Sequence, residues 1–499
     1  MSLKSSIAKK WAAYTVQKTE KESRQAIVCQ QQVLTNLVKT TANKTVFAKD
    51  HHFNDIHTYS EFKQAVPLRD YEALNPYIQR VIEGEKDVLW KGKPLYFAKT
   101  SGTTSGTKYI PVTQSSIPNH IVSTRTMLLH YIHHTQISET FTSRKMVFLS
   151  GSPALTDKNG IKIGRLSGIV NHHIPNYLQK NKIPDYEMNC IEDWEEKLEA
   201  IIEEVLQQNM SMVSGIPPWM LMFFERLQQK SGKKAKELFP DFRLMVHGGV
   251  NYAPYQAKME ATIGGKIDTL ELYAASEGLI AYQNDYREEG LLLTVNSGIF
   301  YEFVPTNEIF AENPTRLSIK EVKVGVNYAI IVNNNAGLWG YILGDTVRFI
   351  SVQPPKLVVT GRVKHFISAF GEHVIGKEIE TALKEAVEES DALVNDFTVA
   401  PKINTVEETP FHEWYIEFEQ LPNDLSVFAA KIDASLVRQN SYYADLIRGR
   451  ILQPLKIIAV QKGVFKAYQK SIGKLGGQNK LPHLSNDRKL VEALKKFNV

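Results

Sequence analysis

The densest concentration of reactive side chains is the run LYFAKTSGTTSGTKYIPVT (Leu95–Thr113), where an apolar, strand-like segment enters a cluster of glycines, hydroxyls and a lysine. Gly102 and Gly106 carry no β-carbon, so backbone N–H groups can converge there on an anion. Ser101, Thr103, Thr104, Ser105 and Thr107 add hydroxyl donors and Lys108 a positive charge, which together suit phosphate oxygens. The spacing is not that of a Walker loop: three residues separate the two glycines, and Thr107 stands between Gly106 and the lysine. An exposed Ser/Thr/Gly hairpin has the same composition, so this run alone leaves both readings open.

Two further segments supply what an adenine nucleotide needs besides its phosphates. In YAASEG (Tyr273–Gly278), Tyr273 offers a ring for stacking on adenine, Ser276 a hydroxyl, and Glu277 a carboxylate suited to Mg2+. In GLWGYILGDTVRF (Gly337–Phe349), Gly344 leads into Asp345, and a carboxylate after a tight glycine turn can accept both hydroxyls of a ribose. Each has a plainer reading, a strand end followed by a turn for the first and a local Asp345–Arg348 surface pair for the second.

Other reactive residues form weaker patterns. His130 and His134 share a helix face and His133 lies beside them, but the glutamate of HExxH is missing and no third ligand is evident. Cys29 and Cys190 stand far apart and outside any nucleophile motif, which argues against a disulfide framework, a zinc site and thiol catalysis.

The elements that must position these residues can be read from periodicity. Short apolar runs, KMVFLSG (Lys145–Gly151), SMVSG (Ser211–Gly215), FRLMVHGG (Phe242–Gly249) and DTLELYAASEG (Asp268–Gly278), alternate with helical patterns such as Asp193–Asn209. That alternation predicts an α/β architecture with substantial parallel sheet, whose ligands bind at the carboxyl ends of strands. Near Pro354 and Pro355 the texture changes. KLVVTG (Lys356–Gly361) reads as a strand, and beyond it helices at Gly376–Glu389 and Leu425–Gln439 and strands at Phe397–Ile403, His412–Phe418 and Leu455–Lys462 predict a small α+β domain. At the other end, Ile7, Trp11, Tyr14, Ile27, Leu34 and Val38 recur at helical spacing and predict a face that covers a core. The basic run Lys230–Glu237 reads as a solvated loop.

Over 499 residues, 59 Lys and Arg against 54 Asp and Glu leave a formal charge of +5, too dilute for an electrostatic nucleic-acid partner. With 43% apolar residues, no apolar stretch of membrane-spanning length and no signal-peptide core, the chain is expected to be a cytoplasmic globular protein without a membrane role.

In this order and at these spacings, the three nucleotide segments resemble those of the adenylate-forming enzymes, and more closely of the Gretchen Hagen 3 family of acyl-acid amido synthetases. TSGTTSG is similar to that family's first nucleotide motif, YAASEG to its second and YILGDTVR to its third. The resemblance extends to VPLRDYEALNPYIQRV (Val66–Val81) before the phosphate loop, GIFYEFVP (Gly298–Pro305), the hinge-like TGRVKHFISAFGEH (Thr360–His373) and the lysine segment GGQNKLPHL (Gly476–Leu484). His483 stands where an arginine is expected, and the absence of longer plant insertions resembles a bacterial-type member.

The resemblance implies a large N-terminal adenylate-forming domain (1–360, sheets flanked by helices with a β-barrel-like part), a hinge (361–364, pivoting near Lys364) and a mobile C-terminal lid (365–499). It implies adenylation of a carboxylic acid by ATP with release of pyrophosphate, followed by acyl transfer to an amine, expected to be an amino acid, by a monomer. The Ser101–Thr107 loop with Lys108 would bind phosphates, with Thr104 in a catalytic role, and Gly249, Tyr273, Ala274 and Ser276 would surround AMP. Glu277 would hold Mg2+, Asp345 and Arg362 the ribose, and Lys480 would arrive from the lid, with Lys474 as the competing lysine. By family position the acyl pocket would draw on Leu166, Val170, Pro217, Trp219, His247, Val250, Phe300 and Tyr301. An acid–thiol ligase making acyl-CoA by the same first step, and a non-catalytic nucleotide-binding protein, are the competing expectations.

Overall fold

The computed structural model describes residues 3–100, 107–250, 252–363, 366–367, 369–372, 374–403, 409–472 and 481–497. Its strands begin with β1 (Tyr96–Thr100), β2 (Lys108–Val112), β3 (Lys145–Phe148), β4 (Thr156–Lys158), β5 (Ile161–Gly164), β6 (Lys182–Ile183) and β7 (Met210–Gly215). They continue with β8 (Leu244–Gly248), β9 (Asp268–Ala275), β10 (Gly278–Tyr282), β11 (Leu291–Leu293), β12 (Ile299–Pro305), β13 (Asn327–Asn334), β14 (Tyr341–Val352) and β15 (Pro355–Arg362). Beyond these lie the short pair β16 (Phe366–Ile367) and β17 (Val374–Ile375), then β18 (Leu393–Lys402), β19 (Phe411–Gln420) and β20 (Gln453–Val460).

A single sheet of eleven strands forms the frame of the large domain, in the order β12-β13-β14-β15-β11-β10-β9-β8-β7-β3-β6. Strands β9, β8, β7, β3 and β6 are parallel, and helices cover both of their faces. Neighbouring residues point to opposite sides. Met146, Met212 and Leu244 join the core under helix Ile117–Thr135, whereas Val147, Val213 and Met245 join the core formed with helices Trp194–Leu206 and Pro217–Ser231. Burial on both faces is why these strands read as unbroken apolar runs.

The remaining strands of that sheet are antiparallel and curl. Tyr273 of β9 and Asp345 of β14 are separated in the sheet by β10, β11 and β15, roughly 19 Å if it were flat, yet their side chains touch at 2.8 Å. Such contact requires the sheet to bend round its own interior, which Ile280, Leu291, Tyr301, Phe303, Tyr328, Phe349 and Leu357 fill. A separate four-stranded sheet, β2-β1-β5-β4, contains the β1–β2 hairpin, in which Thr100 faces Lys108.

In the smaller C-terminal domain β18, β19 and β20 form a three-stranded sheet. Trp414 and Ile416 pack against helices Gly376–Glu388 and Leu425–Gln439, and Tyr415 packs on the opposite face with Val464, Phe465, Leu490 and Leu494.

The N-terminal helices depart from expectation. The chain breaks at Gln25 into helices Leu3–Arg24 and Ala26–Thr41, and Ile7, Trp11, Tyr14 and Ile27 are exposed, at 58%, 39%, 65% and 41%. The first helix instead packs along Ile117–Thr135 and the turn after it through small residues: Ala12 and Val16 are buried, and Ser5 Oγ lies 2.6 Å from Ser138 Oγ. Close helix contact needs small side chains, so the large ones turn away from that seam, Ile7 and Trp11 toward the cavity described below. Only Leu34 and Val38 of the expected stripe reach the core. The basic run is not one loop, since Ser231 ends one helix and Ala235–Leu238 forms another, while Lys230 pairs with Glu199 and Glu203. Among the described residues no helix is long and apolar enough to cross a membrane.

Burial also sets a pH limit. His120, His130 and His247 are buried, and burial lowers each imidazole pKa to about 4. Between that value and the ordinary value near 6.5, the unfolded chain binds protons that the folded chain refuses, so stability falls as pH drops through this window. Three such groups add a slope of up to about 4 kcal/mol per pH unit. Urea midpoints measured from pH 7.5 to 5 should fall accordingly, and His130→Met should flatten the slope. An unchanged slope in that variant would contradict the assignment.

Candidate functional site

The site is built where the curled and parallel parts of the large sheet meet. Register places Asp345 of β14 opposite Arg362 of β15, and Arg362 Nε forms an ion pair with Asp345 Oδ1. From the other side the Tyr273 hydroxyl donates to Asp345 Oδ2 at 2.8 Å. Burial, reinforced by the neighbouring carboxylate, raises the Tyr273 pKa well above its usual value and keeps the phenol a donor. Burial works against the charge on Arg362, but Asp345, Tyr273 and Glu277 together outweigh it and the net shift is upward. The Tyr273 ring is therefore packed in the core, with its hydroxyl committed to the carboxylate, and is not presented as a stacking platform. Arg348 is exposed and is not the partner of Asp345.

Glu277 follows at the two-residue turn Ser276–Glu277, fixed because Gly278 pairs with Ala275. Its backbone carbonyl accepts from Asn334 Nδ2 at 2.8 Å. Burial raises the carboxyl pKa, and Lys108 and Arg362 oppose that rise. Beside it the Tyr341 hydroxyl is fully buried, and among the described residues no hydrogen bond of normal geometry satisfies it. Neither Tyr341 nor its neighbour Tyr71 was singled out from sequence. Tyr71 accepts from the Tyr109 N–H at 2.9 Å, and the Lys108 ammonium sits over its ring at 5.5 Å. The segment before it is sewn to the same place: Arg69 N–H donates to Gly340 O at 2.8 Å. A β-carbon on Gly340 would lie 2.3 Å from Pro67 O, so this approach requires glycine.

Lys108 and Thr100 face one another at the base of the β1–β2 hairpin, so both ends of the hydroxyl-rich turn are pinned. Ser101, Gly102, Thr103, Thr104, Ser105 and Gly106 lie outside the described residues, as do Lys364, Lys474 and Lys480. Thr107 is exposed.

A cavity of about 820 Å3 opens along the carboxyl ends of the parallel strands. Gly249, Ala274 and four of the residues expected in the acyl pocket, Leu166, Val170, Trp219 and His247, line it. A β-carbon at Gly248 would stand 2.3 Å from Leu272 O, so glycine lets strand and floor close up there. Among the described residues His247 Nδ1 and Trp219 Nε1 are buried without hydrogen-bond partners, and the His247 ring stacks on Tyr252 at 4.6 Å. The other four expected residues lie elsewhere. Pro217 and Val250 are buried beside the cavity lining, and Phe300 and Tyr301 belong to the interior of the curled sheet, where Tyr59 packs on Phe300 and Thr294 holds the Tyr301 hydroxyl. Their apolar type suits both places, and only the curl of the sheet decides between them.

The small domain closes one side of the cavity with Tyr442, Asp445 and Leu446. Arg165 of the large domain pairs with Asp445 and lies over the Tyr442 ring at 4.7 Å. The Tyr442 hydroxyl donates to Lys99 O of β1 at 3.4 Å. After the lysine segment, Thr398 Oγ1 donates to Pro482 O at 2.8 Å and Val399 N–H to His483 O at 2.9 Å. His483 stacks on Phe397 and engages Asp396 and Glu380, which together raise its pKa. Among the described residues no group of three His, Cys, Asp or Glu is arranged to hold a metal.

Comparison with known proteins follows the same outline. The GH3 family N-terminal, central and C-terminal domains match residues 15–187, 292–362 and 377–489 in order. Jasmonoyl–L-amino acid synthetase JAR4 of Nicotiana attenuata is 23% identical, over 90% of this chain and 91% of its own. The structure of AtGH3.15 acyl acid amido synthetase in complex with 2,4-DB is similar at a TM-score of 0.61 and 16% identity, over 98% of this chain and 96% of its own. A 2-hydroxyisobutyryl-CoA ligase bound to its acyl-AMP and CoA gives a TM-score of 0.59 at 11% identity, covering 95% and 92%. At such identities the two structures establish a shared fold.

The carboxylate seam yields a stability test. Tyr273→Phe removes one donor to a buried carboxylate, a loss of about 1.5–3 kcal/mol for a hydrogen bond to a charged group. The unfolding free energy of that variant from urea titration should drop by this amount, and a value equal to wild type would show the contact to be inert.

Proposed function

We propose, from the premise that this chain belongs to the GH3 family, that it is an ATP-dependent acyl-acid amido synthetase. A carboxylate oxygen attacks the α-phosphorus of ATP and pyrophosphate leaves; an amine nitrogen then attacks the acyl carbon and AMP leaves. The observation that carries this reading is the Tyr273–Asp345–Arg362 clasp, placed with Glu277 and Lys108 beside the cavity at the strand ends. The named relative is itself an amino acid synthetase, and an amino acid is the amine we assign to this chain.

The residues divide the work by chemistry. Asp345 receives the ribose hydroxyls with the lone pairs that Tyr273 and Arg362 leave available. The turn Ser101–Thr107 is assigned to the phosphates, with Thr104 among its donors, by its glycine and hydroxyl composition and by the position of its flanking residues Thr100 and Lys108. Ala274, Gly249 and Ser276 border the nucleotide, and the cavity beyond takes the acyl group. Glu277 suits Mg2+, since a partly shielded carboxylate beside an unsatisfied phenol offers an oxygen ligand and a partner for a metal-bound water. Such an ion would offset negative charge on the phosphate oxygens.

Lys480 is assigned to the α-phosphate and acyl carboxylate by sequence position. The residues just after it are tied to β18, so we infer that it travels with the small domain, 365–499, turning about 361–364. Closure excludes water from the hydrolysable adenylate.

The test is pyrophosphate release over a panel of carboxylic acids, followed by product analysis with amino acids or CoA. At least one acid should release pyrophosphate and give an amide with an amino acid. A CoA thioester in its place would identify a thiol ligase, and AMP binding with no release for any acid would identify a binding protein. Asp345→Ala should raise KM for ATP at least about tenfold, the equivalent of one charged hydrogen bond, and leave KM for the acid unchanged. Lys480→Ala should lose ATP–pyrophosphate exchange but still form amide from preformed acyl-adenylate; equal loss of both steps would refute its assignment.

A further inference from the structure

The cavity does not end where the adenylate would. Its lining runs from Ala274 and Gly249 at β9 and β8, past Ser214 at β7 and Phe148 at β3, to Lys182 on β6, the edge strand. Four strand spacings separate β9 from β6, roughly 19 Å. Lys182 is paired with Met146 in parallel register, so its side chain shares the face that Met146 presents to helix Ile117–Thr135. Both Lys182 and Asn171 are buried, at 6% and 8% exposure, and the ammonium donates to Asn171 Oδ1 at 2.5 Å. Among the described residues no carboxylate lies within ion-pair distance of it.

An ammonium carries three donors, and Lys182 uses one on a neutral amide. Burying a cation with so little compensation is costly. Burial lowers the Lys182 pKa, and Asp185 only partly opposes that shift. In the same wall the Asn189 side-chain oxygen is buried with no partner among the described residues. Phe141, Met146, Ile174 and Leu178 add apolar surface to that end. A simple aliphatic chain would leave the lysine as it stands; an oxygen acceptor would complete it.

We propose that the cavity selects an elongated carboxylic acid bearing a second acceptor oxygen at its far end, a carboxylate or a carbonyl, and that Lys182, braced by Asn171, receives that oxygen. This rests on the synthetase reading and adds the substrate class. Lys182 is then a specificity residue: remote from the reacting carboxylate, it sets which acid is held in register for attack. Asn171 positions it.

The experiment compares three acids of one length, dodecanoate, the corresponding acid ending in a methyl ketone, and dodecanedioate, on wild type, Lys182→Met and Asn171→Ala. In pyrophosphate release, wild type should prefer an oxygen-bearing acid over dodecanoate at least about tenfold in kcat/KM, through KM. Lys182→Met should bring that ratio to about one, and Asn171→Ala should reduce it. Whether ketone or dicarboxylate benefits more identifies the acceptor. A preference that survives Lys182→Met overturns the inference, as does a wild type with no preference. Thermal stabilisation by dodecanedioate without ATP provides a readout independent of catalysis. If no acid releases pyrophosphate but the dicarboxylate stabilises wild type and not Lys182→Met, the synthetase reading fails while the subsite stands. If Lys182→Met does not fold, the Asn171→Ala ratio decides.

Discussion

A buried carboxylate ties together two distant parts of the large sheet. Asp345 takes a hydrogen bond from Tyr273 and an ion pair from Arg362, residues that come from three strands, two of them neighbours and the third four places away in the sheet. A buried carboxylate is tolerable only when its oxygens are satisfied, so the sheet must curl until the phenol arrives. The same curl brings Glu277, Lys108 and Tyr341 to one place and sets the mouth of the cavity beside them. The feature that closes the fold is thus also the one that assembles the site.

The cavity has one wall that belongs to the other domain. Arg165 reaches over to Asp445 and Tyr442, and Tyr442 reaches back to β1 just before the hydroxyl-rich turn. These contacts are polar and few, and partly exposed ion pairs of this sort contribute little to stability. The apolar join between the domains lies nearer the chain crossing, around Ile367 and Phe370, with the Tyr255 hydroxyl donating to Ala369 O at 2.8 Å. A turn about residues 361–364 would move the apolar join least and break the polar contacts first, which is the arrangement a lid needs.

Much of the frame was legible because its physics is local. Strands buried on both faces must be apolar throughout, and the runs at Lys145, Ser211, Phe242 and Asp268 stand out for that reason. Helix Leu425–Gln439 begins after an aspartate that accepts from Ser426 and Val427 N–H, a start signal readable in the chain. What sequence could not convey is which side of a helix a neighbour will take. The stripe of Ile7, Trp11 and Tyr14 looked inward, yet close packing on helix Ile117–Thr135 selected the small residues between them. Tyr341, Arg165, Tyr442 and Lys182 were invisible for a related reason: each matters through a partner far along the chain. Phe300 and Tyr301 show the converse, apolar residues whose type fits a pocket but whose strand faces the interior.

Charge balance explains why such a site would need a moving part. Among the described residues, Glu277 and Asp345 stand against Lys108 and Arg362, so the resident cluster is close to neutral once Glu277 is ionised. A polyanionic triphosphate entering it needs further positive charge, and a fixed excess of cations would in turn hold pyrophosphate and AMP too tightly to release them. On the proposed reading, a metal ion that arrives and leaves with the phosphates and a lysine carried on a separate domain would meet the demand only while it lasts. Once pyrophosphate had departed, the acyl-adenylate would carry less charge and such a lysine would be free to withdraw, leaving its face of the cavity to the amine. The near-neutral clasp around Asp345 is therefore consistent with a two-step ligase in which the charge needed for the first step is supplied from outside the resident site.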